Sequence, residues 1–343
     1  MYRLAIFTKK TSCEIFLKVV LLFPKATKQG LFGTRSPGPD NRSTKEAHMT
    51  LNLLENTPKN LLCTVSEDPN MFNGLRFLSR FFKNKSSLRL TLFCMASQDS
   101  TYCQWRAGNL KLDGGVANPM ALDQNWDHAH EEALRTLKWE GFPEDNIRSK
   151  CSLTMACRIE DILDELEEED YNAVVMGRRG LSRLKDFADK PLSKKLLEQK
   201  HETPMWLCRK PDFNRKNVLL CADGSDSSYR MAAHVADMLK DEDHMVTLCR
   251  IVKIKSEGNR EESYDIFSRC EEIMAGRGLD SSRLRQMIYP SDHVARAILD
   301  NANWGRFAVV AMGRSSGGLK HLFGSITGRV FTELSGSVLW VHP

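Results

Sequence analysis

The stretch Phe307-Ala308-Val309-Val310-Ala311-Met312-Gly313-Arg314 reads as an apolar strand running straight into a glycine loop. Its near copy, Ala173-Val174-Val175-Met176-Gly177-Arg178, lies 136 residues upstream. Two more landmarks repeat around it in the same order. Leu61-Leu62-Cys63 and Leu219-Leu220-Cys221 precede it at an offset of 158, and Met205-Trp206-Leu207 and Leu339-Trp340-Val341 follow it at 134. Three matched landmarks in one order define a duplicated unit. The falling offsets place about 22 extra residues between the first strand and the glycine loop of copy one. They are assigned to the Gly/Asn/Ser/Asp-rich residues 97–126, read as a surface loop. Copy two is two residues shorter between its glycine loop and its last strand, where a ligand would be held.

Copy two shows the period of each element. Apolar strand runs are expected at 217–222, 245–252, 282–289, 307–312 and 338–341. Helical spacing is expected over 229–239, where Met231, Val235, Met238 and Leu239 share a face, and over 261–275, 292–301 and 327–334. Strands alternating with helices predict a parallel sheet covered on both faces. In such a sheet a ligand sits beyond the carboxyl ends of the strands, where strand order reverses. Two segments with special residues fall at such ends: Asp223-Gly224-Ser225-Asp226 after the first strand, and Gly313 to Ser325 after the fourth.

The second segment has the ingredients of a phosphate cradle. Glycines at 313, 317, 318 and 324 let a backbone approach an anion with its N–H groups. Gly324-Ser325 precedes a helix, whose first amides favour negative charge, and Ser325 and Thr327 bring hydroxyls. Asp223 could accept hydrogen bonds from a ribose. Each element also has a plainer reading: turn glycines, Ser325 or Thr327 as a cap, and Asp223-Gly224 as a turn before a capped helix.

On these residues the chain resembles a tandem universal stress protein, over about 59–343. The family pattern is an apolar strand ending in Met-Gly, then spaced glycines, then Gly-Ser or Gly-Thr. An Asp closes strand one and a Cys-Pro-Val-Leu-Val-Val type strand comes last. Copy two offers Met312-Gly313, Leu319-Lys320, Gly324-Ser325, Asp223 and Ser337-Val338-Leu339-Trp340-Val341. The resemblance implies an α/β fold with two doubly wound, five-stranded parallel sheets of Rossmann-like, adenine-nucleotide-binding type in tandem. It also implies dimers whose last strands pair, ATP binding in some members and protein contacts in others, and no single defined reaction. Carried over, Asp223 with the neighbouring Ala222 would hold the ribose, and Ile251 would sit against the base. Gly313, Gly324 and Ser325 would take the phosphates, with Thr327 beside them. Ser315 or Ser316 stands at the family's second glycine, and Gly317 and Gly318 are its nearest substitutes.

Copy one departs further. It keeps Gly177-Arg178-Arg179-Gly180 and Leu184-Lys185 but has Lys190-Pro191 in place of Gly-Ser, which removes an N–H, a hydroxyl and glycine's freedom. At the strand-one acid it has Val65 or Ser66. Copy one is therefore read as a degenerate partner.

Residues 1–58 hold nine of the 49 Lys/Arg and four of the 44 Asp/Glu, which accounts for the whole net charge of +5. Neither repeat is basic overall, so the footprint of a nucleic-acid binder is missing. The extension reads as disordered, and its longest apolar run, Val19–Phe23, is far short of the roughly 20 residues of a membrane span. Ten cysteines include no Cys-x-x-Cys, and five sit in apolar strand-like runs, the usage of a reducing cytosol. The carboxylates of Glu165–Asp170 read as a solvated helix end, since consecutive helical positions splay side chains around the axis. His128, His130, His293 and His321 show no ligand spacing. Trp206 and Trp340 read as core residues or as packing between the repeats.

The expectation is a basic extension (1–58), a degenerate domain (59–210) and a domain with a candidate nucleotide site (215–343), the two domains forming an internal pseudo-dimer because their last strands need covering. The chain is expected to be cytoplasmic and non-enzymatic, with ATP the candidate ligand, Mg2+ unassigned and a homodimer open. The alternative from another class is an interaction scaffold of the same fold that binds no nucleotide; the shortened loop favours it. An ATP-hydrolysing or ATP-transferring enzyme is a third reading, for which no general base or metal pair is evident.

Overall fold

The computed structural model describes residues 58–65, 72–94, 124–151, 159–177, 202–254, 259–314 and 326–342. The chain divides into two units, Met1–Asn52 and Leu53–Pro343, and every described residue belongs to the second. The extension expected over 1–58 thus lies outside the described residues apart from Pro58, as does the inserted segment up to residue 123.

In chain order the elements are β1 (Lys59–Val65), α1 (Asn73–Phe81), β2 (Leu88–Cys94), α2 (Gln124–Trp139), β3 (Ile147–Cys151), α3 (Ile159–Glu168), β4 (Ala173–Met176) and β5 (Met205–Leu207). They continue with β6 (Lys216–Cys221), α4 (Asp226–Leu239), β7 (Val246–Val252), α5 (Asn259–Gly276), β8 (Leu284–Pro290), α6 (Val294–Trp304), β9 (Phe307–Gly313), α7 (Ile326–Glu333) and β10 (Val338–His342). The strands form one sheet in the order β3-β2-β1-β4-β5-β10-β9-β6-β7-β8. The two separate sheets expected from the sequence are thus a single ten-stranded sheet. Each run of five is parallel, and the runs meet in one antiparallel pair, β5 with β10.

The apolar strands work because every second side chain points to the same side. Leu61, Trp206, Val218, Leu220, Val309 and Trp340 enter one core, which α1, α2, α4 and α5 cover. Leu62, Leu207, Leu219, Val310 and Leu339 enter the other, beneath α3, α6 and α7. Continuous Val/Leu runs are required where both faces of a strand are dry.

Element ends differ from the periodicity for local reasons. Helix α4 starts at Asp226, ahead of the periodic stretch 229–239 and at the turn read as the helix start, because Ser225 caps it, its hydroxyl accepting from Ser228 N–H at 3.2 Å. Strand β8 starts at Leu284 because Asp280 accepts from Ser282 N–H at 2.8 Å and closes a tight turn at Ser281–Arg283. Gln124–Trp126, read as loop, are helical in α2.

The seam between the two strand runs is aromatic. Trp206 and Trp340 are directly opposed in register, fully buried, and stacked with centroids 4.1 Å apart and planes 6° from parallel. Trp206 Nε1 donates to His234 Nε2 at 3.0 Å, whereas buried Trp340 Nε1 has no partner among the described residues. A polar clamp flanks the stack. Glu242 accepts from the N–H groups of Lys83 (2.9 Å) and Asn84 (3.1 Å), and His244 Nε2–H donates to Phe81 O at 2.8 Å with its ring stacked on Phe81. Buried Lys59 donates to Met238 O and Asp241, both at 3.1 Å. The turns after α1 and after α4 therefore hold each other across the seam.

The solvated end expected over Glu165–Asp170 is corrected at one position. Glu165 is buried, and its Oε1 accepts from Lys150 Nζ at 2.6 Å and Tyr171 OH at 2.5 Å. One carboxylate of the run points inward because a lysine from β3 and a tyrosine meet it there.

Candidate functional site

Strand order reverses beside β6: β7 and β8 lie on one side of it, β9 and β10 on the other. The carboxyl ends of β6 and β9 are neighbours, with Cys221 in register with Met312. The candidates Ala222, Asp223 and Gly313 therefore converge on one rim. Ala222 N–H donates to Cys249 O at 2.9 Å, which ties that rim to β7, where half-buried Ile251 stands near the strand end. Thr327 is buried in the first turn of α7, on the other face of the sheet from α4. Ser316, Gly317, Gly324 and Ser325 lie outside the described residues.

The turn after β6 is shaped by its own side chains. Asp223 is exposed, and its Oδ1 accepts from Ser225 N–H at 3.0 Å and Ser225 Oγ–H at 2.6 Å. This is a local turn that engages one oxygen of the carboxylate. Gly224 takes φ +86°, a left-handed conformation that favours glycine. At Gly313 a Cβ would stand 2.5 Å from both Ser227 C and Ser228 N. Strand β9 thus ends against the first turn of α4, and the glycine of Met-Gly-Arg is explained by this close packing before any ligand is invoked.

Two arginines at this rim escaped the sequence reading. Arg250, partly buried on β7, donates from Nη1 to Asp223 O at 2.9 Å and pairs through Nη2 with Glu262 of α5 at 2.9 Å. Its signal was a lone charge inside the apolar run 245–252. Arg314 continues β9, its N–H bonding His342 O at 2.8 Å; burial lowers its guanidinium's pKa. Below the rim, burial pushes the Cys221 thiol well up, with Cys249 and Asp223 adding to the shift. In the first strand run the position equivalent to Asp223 has no carboxylate: β1 ends on buried Val65.

Among the described residues no group of three or more His, Cys, Asp or Glu is arranged to hold a metal ion, and no helix is long and apolar enough to cross a membrane.

Residues 214–342 match the model of the Universal stress protein family. A universal stress protein from Archaeoglobus fulgidus DSM 4304 shares the fold with a TM-score of 0.54 at 13% identity, over 82% of this chain and 95% of its own. A putative universal stress protein from Pseudomonas aeruginosa UCBPP-PA14 has a TM-score of 0.45 at 14% identity, over 84% of this chain and 94% of its own. Another from Archaeoglobus fulgidus, solved in complex with dAMP, has a TM-score of 0.32 at 14% identity, over 37% of this chain and 98% of its own. No curated protein matches this chain. At these identities the likeness to solved universal stress proteins is one of fold.

Proposed function

We propose that this chain is a tandem universal stress protein. In this reading two domains, 59–210 and 215–343, are fused as an internal pseudo-dimer, and only the second keeps an adenine-nucleotide site. The observation that carries the reading is the strand order, which runs 3-2-1-4-5 and again 8-7-6-9-10 about the β5/β10 seam. The family match over 214–342 supports the second domain directly. The convergence of Ala222, Asp223 and Gly313 at the reversal point, with the α4 amides beside them, supports nucleotide binding there. We assign no reaction: the protein is a cytoplasmic stress-response protein that acts by binding, with ATP as its nucleotide.

A scaffold reading is favoured by one observation, the engagement of Asp223 Oδ1 by Ser225. Equilibrium binding of ATP to the full chain separates the two. The wild type should bind, and Asp223→Ala should weaken binding roughly ten- to hundredfold, the worth of charge-assisted hydrogen bonds to a ribose. Gly324→Pro should abolish it. Undetectable binding at millimolar ATP would leave the scaffold, and phosphate release above a blank would overturn the non-enzymatic assignment.

A further inference from the structure

One rung of the sheet carries four sulfur side chains in a row. Cys221 on β6 is in register with Met312 on β9 to one side and with Cys249 on β7 to the other, and Cys249 is in register with Met287 on β8. All four lie on the same face: Met312 and Cys249 are buried in the core beneath α6 and α7, and Cys221 and Met287 pack half-buried against it. The order across the strands is thioether, thiol, thiol, thioether. Both thiols are free.

Neighbouring strands lie about 4.8 Å apart, so in-register side chains on one face stand at about that separation. An ion bonded linearly to two thiolates, each about 2.3 Å away, spans about 4.6 Å. A tetrahedral zinc site would need four donors converging on a point, which a straight row does not provide. Thiolate ligands select soft ions. We propose that this rung binds one soft monovalent ion, Cu(I) or Ag(I), held linearly between Cys221 and Cys249, with Met287 and Met312 as the apolar neighbours on either side of the pair.

The proton and charge balance is explicit. Two S–H bonds break, two metal–sulfur bonds form, and two protons leave to solvent, so a monovalent ion and two thiolates make a unit of charge −1. Arg314 lies two residues beyond Met312, and strand alternation places it on the same face, about 7 Å along. It has no ion-pair partner among the described residues, and it offsets that negative charge. Half-buried Cys221 opens the row to the rim. A soft ion displaces the proton outright.

The test is an anaerobic competition of the full chain against a chromophoric Cu(I) chelator, with Ag(I) in parallel. The wild type should take up one tight equivalent. The pair Cys221→Ser with Cys249→Ser, which leaves eight cysteines in place, should weaken that equivalent at least about a hundredfold. With two protons released, the apparent affinity should rise about a hundredfold per pH unit. Should the double variant fail to fold, Cys221→Ser alone, at the half-buried end, serves with X-ray absorption of the wild type loaded to one equivalent. Unchanged uptake in either serine variant, nitrogen or oxygen ligation in the absorption spectrum, or a pH-independent affinity would each overturn the site and leave the four sulfurs as core packing.

Discussion

Replacing His234 with Gln should remove a defined part of this protein's acid sensitivity. His234 is buried on α4, accepts the indole N–H of Trp206, and faces Trp340 and His342. Burial, with a smaller contribution from His342, lowers its pKa from 6.5 to about 3. Between those values the unfolded chain takes up the proton and the folded chain does not. Stability is therefore complete above about pH 6.5 and falls as the pH drops towards 3, by about 1.4 kcal/mol per pH unit. At pH 5 the loss from this residue alone is about 2 kcal/mol. Gln can still accept from Trp206 and does not titrate. Urea unfolding of wild type and His234→Gln at pH 7, 6 and 5 should show wild-type stability falling relative to the variant by about 2 kcal/mol over that range. His244, whose pKa burial also lowers, and the acidic ion pairs are common to both proteins and cancel in the difference. Curves that stay parallel would mean that His234 is hydrated or protonated at the seam, and the account of the seam would fail.

The two tryptophans should respond unequally. Trp206→Phe strands the acceptor His234 Nε2, whereas Trp340→Phe removes a donor that has no partner among the described residues, so the first should cost about 1–2 kcal/mol more in chemical denaturation. Gly313→Ala should lower stability by about 1–3 kcal/mol, because its methyl would meet the backbone of Ser227 and Ser228, which cannot move aside as a side-chain tip can; a melting temperature equal to wild type would refute this. Glu242→Ala should cost about 1–3 kcal/mol by leaving the N–H groups of Lys83 and Asn84 without their acceptor. Hydrogen exchange should rise at those two amides and stay unchanged in β8.

Much of the fold was legible because its strands are dry on both faces. Runs such as Val309–Met312 must be apolar throughout, and a repeated apolar run followed by Gly is visible in one dimension. The site was less legible. Asp223 and Gly313 stood out by type and position, but Gly313 also answers a packing demand from α4 that no local pattern announces. Arg250 reads as a stray charge until β7 brings it under the Asp223 carbonyl. Glu165 looks like the four other carboxylates of its run until Lys150 and Tyr171 meet it in space.

The amino-acid sequence determined the alternation of strands and helices and the paired landmarks along the chain, since hydrophobic period and repeated motifs are properties of short segments. Only the tertiary structure decided that ten strands make one sheet, that Trp206 lies against Trp340, and that four sulfurs share a rung. Those facts depend on register between strands far apart in the chain, and register is set by packing over the whole core, not by any one segment.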